Sequence, residues 1–587
     1  MSVMPALNQA LELSRRGDHA SAERICRQIV AAQPGNAKAW CHIGTCCLTA
    51  NRLKEAGQAY EQALRAQPHF PEALNNLAVV HSRLNRVEQA AALFKEAINQ
   101  RPNWAEPFIS LGHLYTNNDR LDDAAQAFRS ATLAEPRNAE AHNLLGSVLA
   151  RMGVMDQARQ RFSESIRLNP RYETAHSNLL LALNYDTKIT SKELMAEHEW
   201  FDRLHGQGLM PVAPHLNLRD PNRPLRVGYV SPDLRRHAVA WFMLPVFLNH
   251  DPKQVQVFGY AQASESDAIA EQFRSRCVGW RVTVGRTDAQ IAEQARADGI
   301  DILVDLAGHT GGNRLGAFGY RPAPVQVTYL GYPNTTGMSA IHYRLTDAVA
   351  DPPGEERCHT EELVRLPGTF CCFAPPVDVP DVADLPSIAN GYVTFGLLHK
   401  MSKFNAPMLD VWAAVMNAVP GSRLLGFRNT MDRSVRDRWT REFGNRGISA
   451  DRLILENGSV KDGVHLTLYN KIDISLDALP WSGHATTCES MWMGVPMVTL
   501  RGTRHSGRMS ASILTALDMP QLIAETPEQF VQIASELAKD RSRLAKMRSE
   551  LRGRMQASTL CDAAGFTRRL ETAYREMCRR WCESTSR

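Results

Sequence analysis

The sequence predicts an α-helical array followed by two α/β units, a fold of class α plus α/β. Three observations lead to this prediction. Proline recurs at an interval of 34 residues through the first third of the chain, at Pro34, Pro68, Pro102, Pro136 and Pro170. Short β-rich runs alternate with amphipathic stretches from about residue 225, and this alternation restarts near residue 388. The chain has 587 residues, which is long enough for three or four domains.

Other residue types accompany the prolines at fixed offsets. Alanine stands twelve residues before each one, at Ala22, Ala56, Ala90, Ala124 and Ala158. A small residue stands 24 residues before, at Ala10, Gly44, Ala78, Gly112 and Gly146. A larger side chain stands eight residues before, at Cys26, Tyr60, Phe94, Phe128 and Phe162. Small residues let two antiparallel helices pack closely, and proline ends the second helix. The pattern resembles the tetratricopeptide repeat.

Such repeats are expected to stack into a solenoid with a concave binding groove, because each unit buries its apolar face only against its neighbours. The register continues for one helix past the last proline, so we predict the array for residues 1–185. Asn8, Asn76 and Asn178 share one position of the repeat and are predicted to bind a peptide backbone in the groove. A solvated polar face is the alternative. The other units carry His42, Ser110 and Leu144 at this position.

Composition excludes several classes of protein. The net charge of +5 is spread over mixed acids and bases, which argues against a nucleic-acid partner. We find no run of 18 apolar residues and no signal peptide, so no membrane association is expected. The twelve cysteines are scattered, which favours a reducing compartment and predicts a cytoplasmic location.

The remaining two-thirds are predicted to form a connector, 186–222, and two α/β lobes, 223–387 and 388–587. The predicted strands are 225–230, 255–260 and 301–306 in the first lobe and 392–395, 422–426, 452–455 and 472–476 in the second. Parallel sheets of this kind bind ligands beyond the carboxyl ends of their strands. A nicotinamide dehydrogenase and an NTPase are disfavoured, because neither a G-x-G-x-x-G fingerprint nor a Walker sequence is present.

Five segments resemble the catalytic region of the protein O-GlcNAc transferase family, glycosyltransferase family 41. They read GYVSPDLRRH at 228–237, RPAPVQ at 321–326, GYPNTTG at 331–337, LDALPWSGHATTCE at 476–489 and GVPMVT at 494–499. The resemblance implies a GT-B fold, in which two Rossmann-like lobes face each other across a cleft, behind a tetratricopeptide array. Details within 308–310, 332–337 and 487–494 are more similar to the plant Spindly branch, which transfers fucose from GDP-fucose.

The resemblance implies a donor site in the second lobe. Lys403 matches the lysine that stabilises the departing diphosphate, a role that suits a point charge with three donors. The family places phosphate contacts at His484, Thr486 and Thr487, a ribose contact at Glu489 and a base contact at His465. A helix N-terminus at this segment would add backbone donors. Thr486-x-x-Glu489 also fits a helix capping box, in which the glutamate would serve the helix instead.

The resemblance also implies active-site residues in the first lobe. His237 matches an active-site histidine, which could accept the proton of a serine or threonine hydroxyl or only orient the substrates. His309 is a second catalytic candidate, and Asp233 could orient either imidazole. The implied contacts with the donor sugar or acceptor are Arg321 and the turn residues Pro333, Thr335 and Gly337. A simple tight turn is the alternative for that segment.

The implied reaction moves one sugar, first of all N-acetylglucosamine from UDP-GlcNAc, to serine or threonine of a protein recruited by the array. The nucleotide sugar is a substrate, and we expect no metal or other cofactor because cations and backbone donors serve the diphosphate. A Spindly-like fucosyltransferase, a bacterial flagellin glycosyltransferase and a scaffold with an inactive transferase domain are alternatives. The chain departs from the family pattern at His399-Lys400, at Ala485 and in the loop 458–463.

Overall fold

The computed structural model describes residues 3–209, 214–263, 267–376, 379–458 and 461–584, with the backbone alone at 461–464. The chain divides into two compact units, one ending at Leu149 and the other beginning at Ala150. The predicted end of the array, residue 185, therefore falls inside the second unit. No helix among the described residues is long and apolar enough to cross a membrane.

The 34-residue period is confirmed by the helices. They are α1 Val3–Arg15, α2 His19–Ala32, α3 Ala37–Thr49, α4 Leu53–Ala66, α5 Pro71–Arg83, α6 Val87–Gln100, α7 Ala105–Asn117, α8 Leu121–Ala134, α9 Ala139–Arg151, α10 Met155–Leu168 and α11 Glu173–Leu183. Each second helix of a pair ends two residues before a periodic proline, and the next helix begins three residues after it. Proline thus marks the turn between units, as its missing N–H group requires.

The recurring spacing of small and aromatic residues in the repeats has a steric cause in the first unit. A Cβ atom at Gly112 would lie 2.5 Å from the ring of Phe128, and one at Gly44 would lie 2.6 Å from the ring of Tyr60. Both rings are buried. The aromatic ring therefore fills the space that a side chain at the glycine would need, and the two helices of a pair can approach closely.

The first α/β lobe lies in the second unit. Its sheet consists of β1 Leu225–Ser231, β2 Val255–Ala261, β3 Gly279–Val282, β4 Ile302–Asp305, β5 Val325–Thr328, β6 Tyr343–Thr346 and β7 Glu362–Arg365. The strands are parallel, in the order β3-β2-β1-β4-β5-β6-β7. Its helices are α12 Ser191–Phe201, α13 Ala240–Asn249, α14 Ala268–Arg274, α15 Asp288–Ala297 and α16 Leu315–Gly319.

Helix α12 occupies part of the stretch predicted as a connector. A capping box of Thr190 and Glu193 starts it. Phe201 of α12 and Leu180 of α11 belong to the same apolar cluster as Val230 and Leu303 of the sheet. The last repeat helix is therefore part of the core of the first lobe. Residues 210–213 of the predicted connector lie outside the described residues.

The second lobe repeats the topology of the first. Its elements are α17 Pro386–Asn390, β8 Thr394–Leu397, α18 Ala406–Ala418, β9 Arg423–Phe427, α19 Arg433–Gly444, β10 Leu453–Glu456, β11 Ile474–Leu476, α20 Ala485–Trp492, β12 Met497–Leu500, α21 His505–Ala516, β13 Ile523–Ala524, α22 Pro527–Lys539, α23 Arg541–Gln556 and α24 Ala563–Glu583. The parallel order is β10-β9-β8-β11-β12-β13. Each of the seven predicted runs contains a strand, which confirms two doubly wound lobes.

The final helix, α24, returns to the first lobe and joins the two. Its Glu571 carboxylate lies 2.9 Å from Nδ1 of His250, and the two side chains are only 8% and 2% exposed. The hydroxyls of Tyr574 and Tyr229 are 3.3 Å apart beside this pair. These buried polar contacts fix the end of the chain to the back of the first lobe.

We expect Gly112→Ala to lower the free energy of unfolding of the first unit by about 1–3 kcal/mol, because the new methyl group would displace the buried Phe128 ring. Gly57→Ala is the matched control. A Cβ at Gly57 meets its nearest neighbour, Val80, at an ordinary 3.7 Å, so alanine there should stabilise helix α4 by about 0.5–1 kcal/mol. Urea unfolding measures both, and equal effects of the two substitutions would contradict the steric account.

Candidate active site

Charged side chains follow three neighbouring strands of the second lobe. Lys403 ends the short turn Met401–Lys403 after β8, Arg428 directly follows β9, and Asp477 directly follows β11. Because β9, β8 and β11 are adjacent and parallel, their carboxyl ends share one edge of the sheet. Sequence reasoning found Lys403 but missed Arg428 and Asp477, although each is the first charged residue after a predicted strand.

The Lys403 side chain is buried within this edge. The residue is 7% exposed, and its Nζ donates a hydrogen bond to the carbonyl of Ser482 at 2.7 Å. Burial lowers the pKa of Lys403 to about 7; the charge of Asp477 opposes this shift, and the charges of Lys400 and Arg428 add to it. A buried ammonium among other cations is a site that favours an anion.

The turn from Asp477 to Thr487 contains Ser482, the hydrogen-bond partner of Lys403, and is stabilised by hydrogen bonds within the turn. Oδ1 of Asp477 accepts the N–H groups of Ala478 and Gly483, each at 2.8 Å. Gly483 has no room for a side chain, because a Cβ there would lie 2.2 Å from Oγ1 of Thr487. The turn leads directly into α20, whose first-turn N–H groups at residues 485–487 have no acceptor within the helix.

The structure brings His484 to the start of α20, between the two lobes. Its ring stacks on Phe242 of α13 with centroids 4.0 Å apart, and on Phe370 at 5.3 Å. Burial is the main cause that lowers the pKa of His484 to about 3, so the imidazole is neutral. Its buried Nε2 has no hydrogen-bond partner among the described residues. A neutral ring of this kind can donate one N–H to a phosphate oxygen.

The two threonines of α20 differ. Thr486 is partly exposed in the first turn of α20, as a phosphate contact requires. Thr487 is fully buried, and its hydroxyl shares a 2.8 Å hydrogen bond with the hydroxyl of Ser510. The close packing of α20 on α21 therefore uses the Thr487 hydroxyl. The predicted phosphate contact of Thr487 stays a prediction, for which its backbone N–H is available.

Glu489 and His465, both predicted to contact the donor, lie together. Oε2 of Glu489 is 3.4 Å from Nε2 of His465, and the side chains are 13% and 17% exposed. The capping box proposed for Thr486 and Glu489 does not form, because α20 begins at Ala485 and His484 occupies the cap position. The carboxylate is therefore not used by the helix start. In the neighbouring loop, residues 459–460 lie outside the described residues.

His237 lies in the loop after β1, with its side chain 43% exposed. Nδ1 lies 3.4 Å from Oδ2 of Asp233, the predicted orienting group, and 3.3 Å from the backbone nitrogen of Val239. Partial burial lowers the pKa of His237. The charge of Asp233 opposes this shift, and the charges of Lys400 and Arg235 add to it. The ring is therefore neutral near pH 7 and can accept a proton at Nε2. Since Lys400 follows β8, the His237 loop faces the second lobe.

His309 does not fit the catalytic role predicted for it. The residue is completely buried, with Nδ1 3.1 Å from the Ser177 hydroxyl and Nε2 2.8 Å from the Thr336 carbonyl. Its ring packs against Phe201 of α12 at 4.5 Å. The prediction rested on a position after a central strand, and it failed because α12 covers that position.

Arg321 lies at the amino-terminal edge of the first sheet. It precedes β5 and lies near His342, which immediately precedes β6; burial lowers the pKa of His342 to about 4, and the charge of Arg321 adds to this shift. Since the strands are parallel, residues before them lie at the amino ends, opposite the crevice that His237 faces. This position does not favour the contact of Arg321 with the donor sugar or acceptor, which stays a prediction.

The turn 333–337 supports the first lobe from inside. Thr335 is buried, and its hydroxyl donates to Oε2 of Glu361 at 2.6 Å. Gly337 has φ +75°, and a Cβ there would lie 2.3 Å from the carbonyl of His198 on α12. This packing uses the Thr335 side chain, so the predicted sugar contacts of Thr335 and Gly337 would be made by backbone groups and stay predictions. Pro333 is buried and offers no polar side-chain atom, so its predicted sugar contact stays a prediction.

One group of metal-ligand types occurs among the described residues, in the first unit. Glu23, Cys47 and Glu55 bring one ligand atom each within 4.8 Å of one another. Arg52 forms ion pairs with both carboxylates, and Arg27 adds a further pair with each. The guanidinium groups already neutralise these carboxylates, so the cluster is an ion-pair network between helices α2, α3 and α4.

Sequence comparisons agree with this architecture. Residues 172–374 and 379–570 match the profile of glycosyl transferase family 41. Residues 109–173 match the tetratricopeptide repeat, and residues 7–132 match the middle TPR-like domain of cilia and flagella-associated protein 70.

Two plant proteins illustrate the range of relatives. The chain is 39% identical over 416 residues to the probable UDP-N-acetylglucosamine–peptide N-acetylglucosaminyltransferase SPINDLY of Solanum lycopersicum, covering 69% of this chain and 44% of that one. It is 28% identical over 365 residues to the corresponding probable enzyme SEC of Arabidopsis thaliana, covering 60% and 37%. The chain spans less than half the length of these relatives.

A solved structure matches nearly the whole fold. A lysine-to-methionine mutant of the O-GlcNAc transferase of Thermobaculum terrenum superposes with a TM-score of 0.82 and 35% identity, covering 87% of this chain and 98% of that one. The family profile covers more than half of this sequence, in the two lobes that carry the candidate site. The chain therefore belongs to glycosyl transferase family 41 and carries tetratricopeptide repeats before its catalytic region.

Proposed function

We propose that this protein transfers a single sugar from a nucleotide donor to a serine or threonine hydroxyl of another protein. The observation that carries the proposal is the buried ammonium of Lys403, 2.7 Å from the Ser482 carbonyl beside the start of α20. A departing nucleoside diphosphate is a multiply charged anion, and its release is the step that this arrangement of charge favours.

The leaving group would be held from three directions. Lys403 supplies a point charge, the first turn of α20 supplies backbone N–H donors, and neutral His484 supplies its free ring nitrogen. Arg428 adds a further positive charge at the end of β9. These groups together supply the positive potential that a divalent metal provides in other transferases, so the proposal needs no metal.

His237 is the group proposed to assist the acceptor hydroxyl. Its loop faces the second lobe, where the charge of Lys400 acts on the imidazole. In the neutral tautomer whose Nδ1–H points to the Asp233 carboxylate, Nε2 is unprotonated and can accept the hydroxyl proton. The proton then leaves the acceptor as the sugar carbon forms its new bond to oxygen and the bond to the diphosphate breaks.

UDP-GlcNAc is the donor we propose first, supported by the names of the relatives and of the solved O-GlcNAc transferase. Glu489 is free of the helix cap and is proposed to bind the ribose hydroxyls beside His465. GDP-fucose is the second candidate. It is favoured by the higher identity to SPINDLY than to SEC, 39% against 28%, and by the motifs that resemble the Spindly branch.

Recruitment of the acceptor protein is assigned to the repeat array. Asn8 of α1 is exposed and Asn76 of α5 partly exposed, so their amides can reach a peptide. Asn178 lies on α11 and is also partly exposed. Within the first unit, stacked repeats present such positions along one surface, which suits an extended polypeptide better than a small acceptor.

Lys403→Ala should reduce the rate of protein glycosylation by at least roughly 100-fold, because it removes the charge that stabilises the departing diphosphate. Lys546→Ala is the matched control, since this lysine is exposed on α23 of the same lobe. Transfer of radiolabelled sugar to protein measures both. Unchanged transfer by Lys403→Ala would refute the proposed role.

The affinity for the diphosphate product should depend on pH through Lys403. Its pKa of about 7 means that the ammonium loses its proton above neutrality. Binding of the anion then requires that the Lys403 amine be protonated again, which weakens the affinity. We expect the Kd of UDP to rise roughly tenfold from about pH 7 to about pH 8.5. Isothermal titration calorimetry measures this, and Lys403→Met should flatten the profile. A steep profile that survives this substitution would assign the titration to another group.

A thermal-shift panel distinguishes the donors. A ligand that binds the folded state raises the melting temperature. We expect UDP to raise it more than GDP or CMP at equal concentration. A response to GDP alone would replace the proposed UDP-GlcNAc donor with the fucose alternative, and a response to none of the three would contradict a nucleotide-sugar transferase.

A further inference from the structure

Two aspartates of the first lobe reach across to helix α21 of the second. Both lie in the loop after β6. Asp351 accepts a hydrogen bond from Nδ1 of His505, the first residue of α21, at 2.7 Å. Asp347 accepts one from the hydroxyl of Ser512 on the same helix. The sequence motifs single out none of these residues.

The contact between Asp351 and His505 is a buried hydrogen bond between a carboxylate and an imidazole, and burial lowers the pKa of His505. The side chains are 0% and 5% exposed. Burial would raise the pKa of Asp351, but His505 and His359 hold it well below its usual range through charge and hydrogen bonds. Thr346 donates a further hydrogen bond to the same carboxylate at 2.5 Å. A buried carboxylate with these partners keeps its geometry, because any displacement would leave a charge unpaired.

A path of hydrogen bonds and one peptide bond, between His505 and Ser506, leads from this pair to Lys403. The carbonyl of Ser506, the residue after His505, accepts both the N–H and the hydroxyl of Ser482, at 2.8 and 3.0 Å. The N–H of Ser510 donates to the same Ser482 hydroxyl at 3.2 Å. The carbonyl of Ser482 in turn accepts from Nζ of Lys403 at 2.7 Å. Ser482 is thus clamped between α21 and the lysine.

We propose that Asp351 is a positioning residue: by anchoring α21 to the first lobe, it sets the place of Ser482 and Lys403 for the nucleoside diphosphate. This inference rests on the proposed function and deepens it. The lobe that carries His237 would thereby determine where the leaving-group site of the other lobe lies. Such a link matters because a displacement of about 1 Å at a reacting centre can cost roughly 100-fold in rate.

The chain contains a matched control for this pair. His250 and Glu571 form a second buried histidine–carboxylate contact between the first lobe and the C-terminal part of the chain, at 2.9 Å and with side chains 2% and 8% exposed. Glu571 lies on α24, whose most extensive contacts with the first lobe are those with α13 and β5. The His250–Glu571 pair therefore has the same chemistry and similar burial as the Asp351–His505 pair, but among the described residues it is not connected to Ser482 by hydrogen bonds.

The test compares Asp351→Asn with Glu571→Gln in the full chain. Asparagine and glutamine keep the shape and remove the charge. We expect Asp351→Asn to weaken UDP binding by roughly tenfold in calorimetry, whereas Glu571→Gln leaves the Kd within about twofold of the wild type, at similar losses of melting temperature. Equal Kd values for the two variants would overturn the inference.

A second measurement does not depend on the ligand. Hydrogen exchange read by mass spectrometry should be roughly tenfold faster at residues 480–487 in Asp351→Asn than in Glu571→Gln, since α21 no longer clamps Ser482. Equal exchange in the two variants would also overturn the inference. If the wild type binds no nucleoside diphosphate, the proposed function fails, and the exchange comparison still decides whether Asp351 positions the turn.

Discussion

The burial of the Lys403 ammonium is the constraint on which the candidate site depends. Removing a charged amine from water costs several kcal/mol, and here the nearby Lys400 and Arg428 increase that cost. The Ser482 carbonyl satisfies one of the three ammonium donors. A bound anion would offset this cost, so the proposed diphosphate would bind where the unliganded site is least stable.

The topology of the two sheets explains how the Lys403 ammonium and the proposed base, His237, come to lie in facing loops. Each lobe has the same strand order around its first strand, with β1 central in one and β8 in the other. His237 follows β1 and Lys403 follows β8, so the two residues occupy equivalent loops of facing lobes. The contacts that join the lobes include those of α24 at the back and those of Asp347 and Asp351 with α21. A transferase of two lobes needs such links, because acceptor and leaving group are held by different sheets.

Local patterns in the sequence predicted much of this architecture. The repeat helices could be predicted because proline, alanine and the glycine–aromatic pairs act within one unit of 34 residues. The strands and Lys403 could be predicted because apolar runs and a family motif stand close together in the chain. The structure also places three residues of the predicted donor site at the edge of the crevice, as the topology predicts. These are His484, Glu489 and His465.

The errors arose where distant segments decide the environment of a residue. His309 follows a strand as His237 does, but α12, more than a hundred residues upstream, covers only His309. The Thr487 hydroxyl contacts Ser510 of α21, so only the backbone N–H of Thr487 is available for the predicted phosphate contact. Asp351 could not be found at all, because its partner His505 is 154 residues away.

The most direct measurement of the central claim is the titration of Lys403 by NMR on protein labelled with nitrogen-15 in its lysines, with Lys403→Arg used to assign the signal. The account predicts a pKa near 7 in the free protein, because burial disfavours the ammonium, and a pKa above about 9 with UDP bound, because the anion restores it. A free-protein pKa at the ordinary lysine value, or a value that UDP does not change, would contradict it.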